Sequence, residues 1–255
     1  LSGRLCSYFL KMVFLEKNWL IWLIYPLFLT ILWPFSVIFV SFFTGQFSFF
    51  KGYLARVGSR LLGRPHTSPI HIAIFASGTG TNARKIIEYF EKGGSKASKA
   101  IKVSLIVCNV PEAGVLEIAK EKGIPSLIIN KKEFELTGYV QSLKNAEINF
   151  IALAGFLWKV PEVLIKAYPK AIVNIHPALL PKYGGKGMYG ARVHEAVIAA
   201  KEKESGITIH WVNENYDEGK IIFQQKIVVE ENDSAEMILQ KVRVIELENY
   251  PRVIE

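Results

Sequence analysis

Hydrophobic positions follow two regimes along the chain. Residues 18–50 carry no charged side chain. Within them the run W-L-I-W-L-I-Y-P-L-F-L-T-I-L-W-P-F-S-V-I-F-V-S-F-F exceeds the roughly 20 residues that cross a bilayer. From Ile70 onward, short apolar runs alternate with amphipathic stretches. I-H-I-A-I-F-A-S predicts a strand that runs into G-T-G-T-N. A helix over A-R-K-I-I-E-Y-F-E follows, with Ile86, Ile87 and Phe90 as its buried stripe and Gly93 and Gly94 as its end.

The alternation continues. I-K-V-S-L-I-V-C-N is a second strand, Gly114–Lys122 a helix closed by Gly123, and I-P-S-L-I-I-N a third strand. A helix through Val140–Leu143 leads to a fourth strand, I-N-F-I-A-L-A-G. Pro161–Ala167 is helical, and Ala171–His176 is the fifth strand. This order predicts an α/β fold, a mostly parallel twisted sheet with helices on both faces. After a Gly-rich loop and a helix from about Ala191 to Ala200, G-I-T-I-H-W-V and K-I-I-F-Q-Q-K-I-V-V predict a hairpin across N-E-N-Y-D-E-G. The last helix takes its N-cap at Asp233 or Ser234 and runs to Glu248, with Pro251 beyond it.

Two units result: residues 1–69, a hydrophobic membrane-like segment with a linker, and residues 70–255, the α/β domain. Charge divides the same way. Residues 1–69 hold seven Lys/Arg and one acid, or +6, out of a total of +8. The α/β domain is nearly neutral, which with the lack of a basic-aromatic motif argues against nucleic acid as a partner. The basic residues after the apolar run (Lys51, Arg56, Arg60, Arg64) favour a cytoplasmic α/β domain, held on the inner membrane face if the segment spans. The chain opens on Leu1 and has no Met between Met12 and Met188, so an upstream extension of the reading frame is the other reading of residues 1–69. Cys6 and Cys108 form neither a disulfide framework nor a paired zinc pattern.

Candidate chemistry centres on A-I-V-N-I-H-P-A-L-L-P-K-Y, Ala171–Tyr183. Positions two apart on a strand face the same side, so Asn174 and His176 project together beyond a strand end. Pro177 and Pro181 then stop regular structure. In open α/β sheets ligands bind at such carboxyl ends. Gly78-Thr79-Gly80-Thr81-Asn82-Ala83 nominally fits a dinucleotide turn, but the second strand ends in Cys108-Asn109-Val110, with no acid for a ribose. That leaves a phosphate site at a helix N-terminus, or a plain tight turn. Leu153–Val160 reads as core packing or as the wall of a flat apolar ligand. Asp217 matters only if the fold carries it to His176. His194 and His210 rank below His176, and no spacing supports a zinc site among the three. Arg243 and Glu246, three apart beside the helix stripe Ile238, Val242, Ile245, form a solvated pair or reach a ligand.

With these motifs in order, residues 70–255 resemble the phosphoribosylglycinamide formyltransferase family, folate-dependent enzymes of purine synthesis. The resemblance rests on A-S-G-T-G-T-N, L-A-G-F-L-W-K-V, N-I-H-P-A-L-L-P-K-Y, G-I-T-I-H-W-V with D-E-G, and D-S with a helix closing in E-x-x-x-Y-P. It implies a Rossmann-like fold, glycinamide ribonucleotide and 10-formyltetrahydrofolate as small-molecule substrates, no metal, and a monomer or homodimer. It matches Asn174, His176 and Asp217 to the catalytic trio. Gly80, Thr81, Asn82, Arg243 and Glu246 match the ribonucleotide site. Leu157, Trp158, Lys159, Val160, Asn213, Glu214 and Tyr216 match the folate pocket. Trp158 stands where other members often carry Arg, Arg243 where they often carry Gln, and the loop Gly184–Arg192 is richer in Gly, a candidate lid.

The implied chemistry is direct attack of an amine on a formyl carbon through a tetrahedral intermediate. Asn174 and a protonated His176 would stabilise its oxyanion, with Asp217 holding His176 cationic. Formyltetrahydrofolate deformylase and a non-catalytic, membrane-tethered phosphoribosyl-ligand sensor are the competing expectations.

Overall fold

The computed structural model describes residues 69–93 and 101–255. The apolar segment expected over 1–69 therefore lies outside the described residues, Pro69 apart. Seven strands form one sheet in the order β3-β2-β1-β4-β5-β6-β7. They are β1 Ile70–Ala76, β2 Ile101–Cys108, β3 Ser126–Ile128, β4 Phe150–Leu153, β5 Ile172–His176, β6 Glu204–Trp211 and β7 Ile221–Val228. The first five run parallel. β6 lies antiparallel to β5 and pairs with β7 as the expected hairpin.

β1 reads as a continuous apolar run because both its faces are covered. Ile72, Ile74 and Ala76 belong to one core and Ala73 and Phe75 to the other, all fully buried. The first core takes helices α1 (Thr81–Glu91), α2 (Gly114–Glu121), α6 (Ala191–Ala199) and α7 (Ala235–Ile254). The second takes α3 (Lys131–Thr137), α4 (Val140–Asn145) and α5 (Glu162–Ala167).

Two elements depart from the sequence expectation. The single helix expected through Val140–Leu143 is two, α3 and α4. The break falls at Gly138 and Tyr139, with φ 56 and 52, where the chain turns tightly against Leu164. The last helix does not stop at Glu248 but continues to Ile254 with Pro251 inside it. Packing supplies the reason. Tyr250 is fully buried and donates its hydroxyl to the carbonyl of Leu153 at 2.8 Å. Pro251 is buried beside it. Pro251 has no N–H to give the carbonyl of Leu247, so the helix forgoes one bond there, and the burial of Tyr250 and Pro251 offsets that loss. Ser234 caps the other end, accepting from Met237 N at 3.2 Å.

The chain places β2 and β3 on one side of β1 and β4 and β5 on the other. A crevice at the carboxyl ends is the consequence of that reversal.

Candidate active site

That crevice is a cavity of about 730 Å³, within the usual size for small-molecule sites. It is lined by the ends of β1, β4 and β5, the turn between β6 and β7, the Gly-rich loop before α6, and one face of α7.

Asn174 and His176 enter it from the last residues of β5. The sheet register sets His210 opposite Asn174 and Thr208 opposite His176. Thr208 Oγ1 donates to the Ala178 carbonyl at 2.6 Å and accepts from Leu180 N at 3.0 Å. Gln224 Nε2 adds bonds to Leu180 O at 2.9 Å and Thr208 Oγ1 at 2.8 Å. This network, buried at Thr208, fixes the path of P-A-L-L-P, and with it the exit angle of His176.

Asp217 does reach His176. Its Oδ2 lies 3.5 Å from His176 Nδ1 and accepts from Gly185 N at 2.9 Å. Its Oδ1 lies 3.4 Å from Asn174 Nδ2 and 3.5 Å from His210 Nε2. The turn that delivers it is tight. Asp217 sits at φ 56, and a Cβ on Gly219 would overlap the Trp211 carbonyl, so the turn folds down on the strand only because residue 219 is glycine.

Tautomers follow from the partners. His176 Nε2 donates to the Tyr183 carbonyl at 2.7 Å, so it carries a proton and Nδ1 faces Asp217. His210 Nδ1 donates to the Trp211 carbonyl at 2.9 Å, leaving Nε2 as an acceptor for Asn174 Nδ2 at 3.2 Å when the ring is neutral. Burial holds the His176 pKa below its ordinary value, although Asp217 pulls it up. The expectation of a standing imidazolium is thereby corrected: loss of hydration outweighs a carboxylate at 3.5 Å. Burial also pushes Asp217 up. The neighbouring His210 and His176 rings and the Gly185 N–H together more than reverse this and leave it below its usual value.

The phosphate-site candidate is built as the mechanism requires. Gly80 at φ 78 opens α1, whose first turn has no side-chain cap, so its backbone N–H groups face the cavity end. A Cβ on Gly80 would approach Val115 and Ile118 to 2.8–2.9 Å. Asn82 Nδ2 donates to Glu246 Oε2 at 3.1 Å, so the partner of Glu246 is Asn82 rather than Arg243. Burial raises the Glu246 pKa, against the pull of Asn82 and Arg243. Arg243 is exposed at the rim.

Both readings of Leu153–Val160 hold, residue by residue. Phe156 packs edge-on to Phe75 at 5.4 Å and Phe134 at 5.6 Å, and Trp158 tilts against Phe134 at 6.0 Å. These rings back the wall, while Leu157 stays half exposed on it. Lys159 Nζ lies 5.9 Å over the Tyr216 ring, joining the wall to the β6–β7 turn. Glu214 stands apart from the other expected residues. It is exposed and lines a neighbouring hollow with Lys159, Lys186 and Tyr216.

The structure adds residues that sequence reasoning passed over. Ser77 Oγ donates to Asn109 Oδ1 at 2.6 Å and accepts from Leu157 N at 3.0 Å, tying the wall to the end of β1. A polar residue closing a buried apolar strand was the available signal. His194 and His210, ranked low, both line the cavity. Among the described residues no group of three or more His, Cys, Asp or Glu is placed to hold a metal ion, and no helix is long and apolar enough to cross a membrane.

Comparison with known proteins agrees with this geometry. The profile of the Formyl transferase family matches residues 70–254. The chain is 41% identical over 189 residues to a chloroplastic phosphoribosylglycinamide formyltransferase of Vigna unguiculata, covering 72% of this chain and 59% of that protein. It is 36% identical over 188 residues to the phosphoribosylglycinamide formyltransferase of Bacillus subtilis (strain 168), covering 72% and 92%. The crystal structure of the Bacillus halodurans phosphoribosylglycinamide formyltransferase superposes with a TM-score of 0.65 at 37% identity, over 72% of this chain and 93% of that one. The chain spans about three fifths of the length of the chloroplastic relatives it matches. With its matched region, its switch-point cavity and its Asn174–His176–Asp217 cluster, the chain belongs to the formyl transferase family.

Proposed function

We propose that the α/β domain transfers the formyl group of 10-formyltetrahydrofolate to the amine of glycinamide ribonucleotide, as phosphoribosylglycinamide formyltransferases do. The observation that carries this reading is one cavity that joins an anion-ready helix N-terminus, an apolar wall and the Asn174–His176–Asp217 cluster. The α1 N-terminus with Gly80, Thr81 and Asn82 takes the phosphate, and Glu246 and Arg243 reach the ribonucleotide from α7. Leu157, Trp158, Lys159, Val160, Asn213 and Tyr216 flank the pterin and its tail. The volume and the mixed apolar and polar lining fit both substrates together.

The amine attacks the formyl carbon, a C–N bond forms, and the carbonyl oxygen becomes an oxyanion. Asn174 Nδ2 and the His176 N–H donate to it, the second by exchanging the Tyr183 carbonyl for the developing charge. Preorganised donors in a buried site stabilise such charge more than water does. Asp217 accepts the proton shed by the amine, directly or through water. That proton then goes to the departing folate nitrogen as its C–N bond breaks. A neutral His176 donor suffices for the hydrogen bond. The forming oxyanion raises the imidazole's proton affinity at the moment of need.

Release of tetrahydrofolate by the purified full chain tests this. Release that requires glycinamide ribonucleotide supports the transferase. Release without it would mark a deformylase, and ribonucleotide binding without release a sensor.

A further inference from the structure

His194 is used by nothing in this mechanism. It lies on the buried stripe of α6 with Val193 and Val197 and is 2% exposed. His194 lines the cavity, as do Leu239 and Val242 of α7, yet its Nδ1 is buried with no hydrogen-bond partner. Buried polar atoms are nearly always paired, and an apolar residue would fill a purely structural position on this stripe at less cost.

The surroundings say which ligand is near. α6 packs on α7, the helix that carries Arg243 and Glu246. The charged and titratable groups acting on the His194 ring are Glu236 and His176. The apolar wall belongs to other elements, β4 and the β6–β7 turn.

We propose that His194 is a further substrate-binding residue whose Nδ1 hydrogen-bonds an uncharged N–H or O–H group in the ribose–glycinamide part of the ribonucleotide. The assignment rests on the reading of the substrate above. Burial lowers the His194 pKa, which keeps the ring neutral and able to accept such a bond.

Calorimetric binding of glycinamide ribonucleotide to the full chain tests it, with turnover followed in parallel. His194→Leu should weaken ribonucleotide binding about tenfold, the scale of one neutral hydrogen bond. Its KM for 10-formyltetrahydrofolate should match that of the parent, and its melting temperature should stay at or above the parent value. His194→Asn, whose amide overlays the Nδ1 position, should restore most of the affinity, and His194→Gln should not. Unchanged ribonucleotide affinity in a folded His194→Leu variant, or equal behaviour of Asn and Gln, would overturn the proposal while leaving the transferase reading intact. A parent protein that binds no ribonucleotide would overturn both.

Discussion

Asp217 Oδ2 stands 3.5 Å from His176 Nδ1, with Gly185 N–H on the same carboxylate oxygen. One carboxylate therefore touches the candidate donor and the Gly-rich loop at once. The same loop supplies the Tyr183 carbonyl that accepts from His176 Nε2. Any movement of residues 183–185 changes the hydrogen bonding of both groups.

Asp217→Asn should expose this coupling. The carboxylate is the larger of two influences that raise the His176 pKa against burial, the bond to the Tyr183 carbonyl being the other. Removing the carboxylate charge leaves only the bond to the Tyr183 carbonyl against burial, so the imidazole pKa should fall further, as read by NMR titration of the ring. Turnover should drop by about 10²–10⁴, the range of a lost acid–base group. A His176 titration unchanged in the variant would show that the pair does not interact.

Asn174→Ala removes a donor without touching the core. Its neighbours His210 and Asp217 remain bonded elsewhere, to the Trp211 carbonyl and Gly185 N–H. A loss of about 10²–10³ in kcat with little change in KM is expected for an oxyanion donor. Steady-state kinetics at saturating ribonucleotide decide it, and a KM effect with kcat intact would reassign Asn174 to binding.

Glu246 carries a stability signature. Its pKa is raised in the folded protein. The folded state therefore holds the proton more tightly than the unfolded chain, and stability from this group falls as pH rises through the folded value. Glu246→Gln keeps an acceptor for Asn82 and drops the buried charge. At pH 7 the variant should melt about 2–4 °C higher, the shift that 1 kcal/mol produces in a domain of this size, and bind ribonucleotide more weakly. Below about pH 4, where the carboxyl is protonated in both states, the difference in melting should vanish. Calorimetric melting at the two pH values measures it, and a lower melting point at pH 7 would contradict the account.

Gly80→Ala meets two obstacles, a φ of 78 and contacts of 2.8–2.9 Å with Val115 and Ile118. A cost of about 1–3 kcal/mol in stability is expected, with loss of ribonucleotide affinity as the first turn of α1 shifts. Chemical denaturation gives the first number and calorimetry the second.

How much was legible in the sequence depended on range. Local signals carried through: apolar runs for β1, β2, β4 and β5, the i, i+2 pair Asn174 and His176, and the glycines of the first turn. Tertiary choices did not. Nothing in the spacing of Asp217 or His210 announced that the β6–β7 hairpin folds both onto β5, because the register that does so is set by pairing across the sheet. The length of α7 depended on a pocket for Tyr250 formed by β4 and β5. Ser77 looked like the end of a strand and is the tether of the ligand wall. The resting charge of His176 was misread for a related reason, since burial can be counted only after folding.

The most direct test of the central claim is to follow the formyl carbon itself. The full chain, incubated with 10-formyltetrahydrofolate labelled with ¹³C at the formyl group and with glycinamide ribonucleotide, should yield a ribonucleotide that carries the label as a formamide, detected by mass spectrometry and ¹³C NMR. Label recovered as free formate, with the ribonucleotide unmodified, would contradict the account.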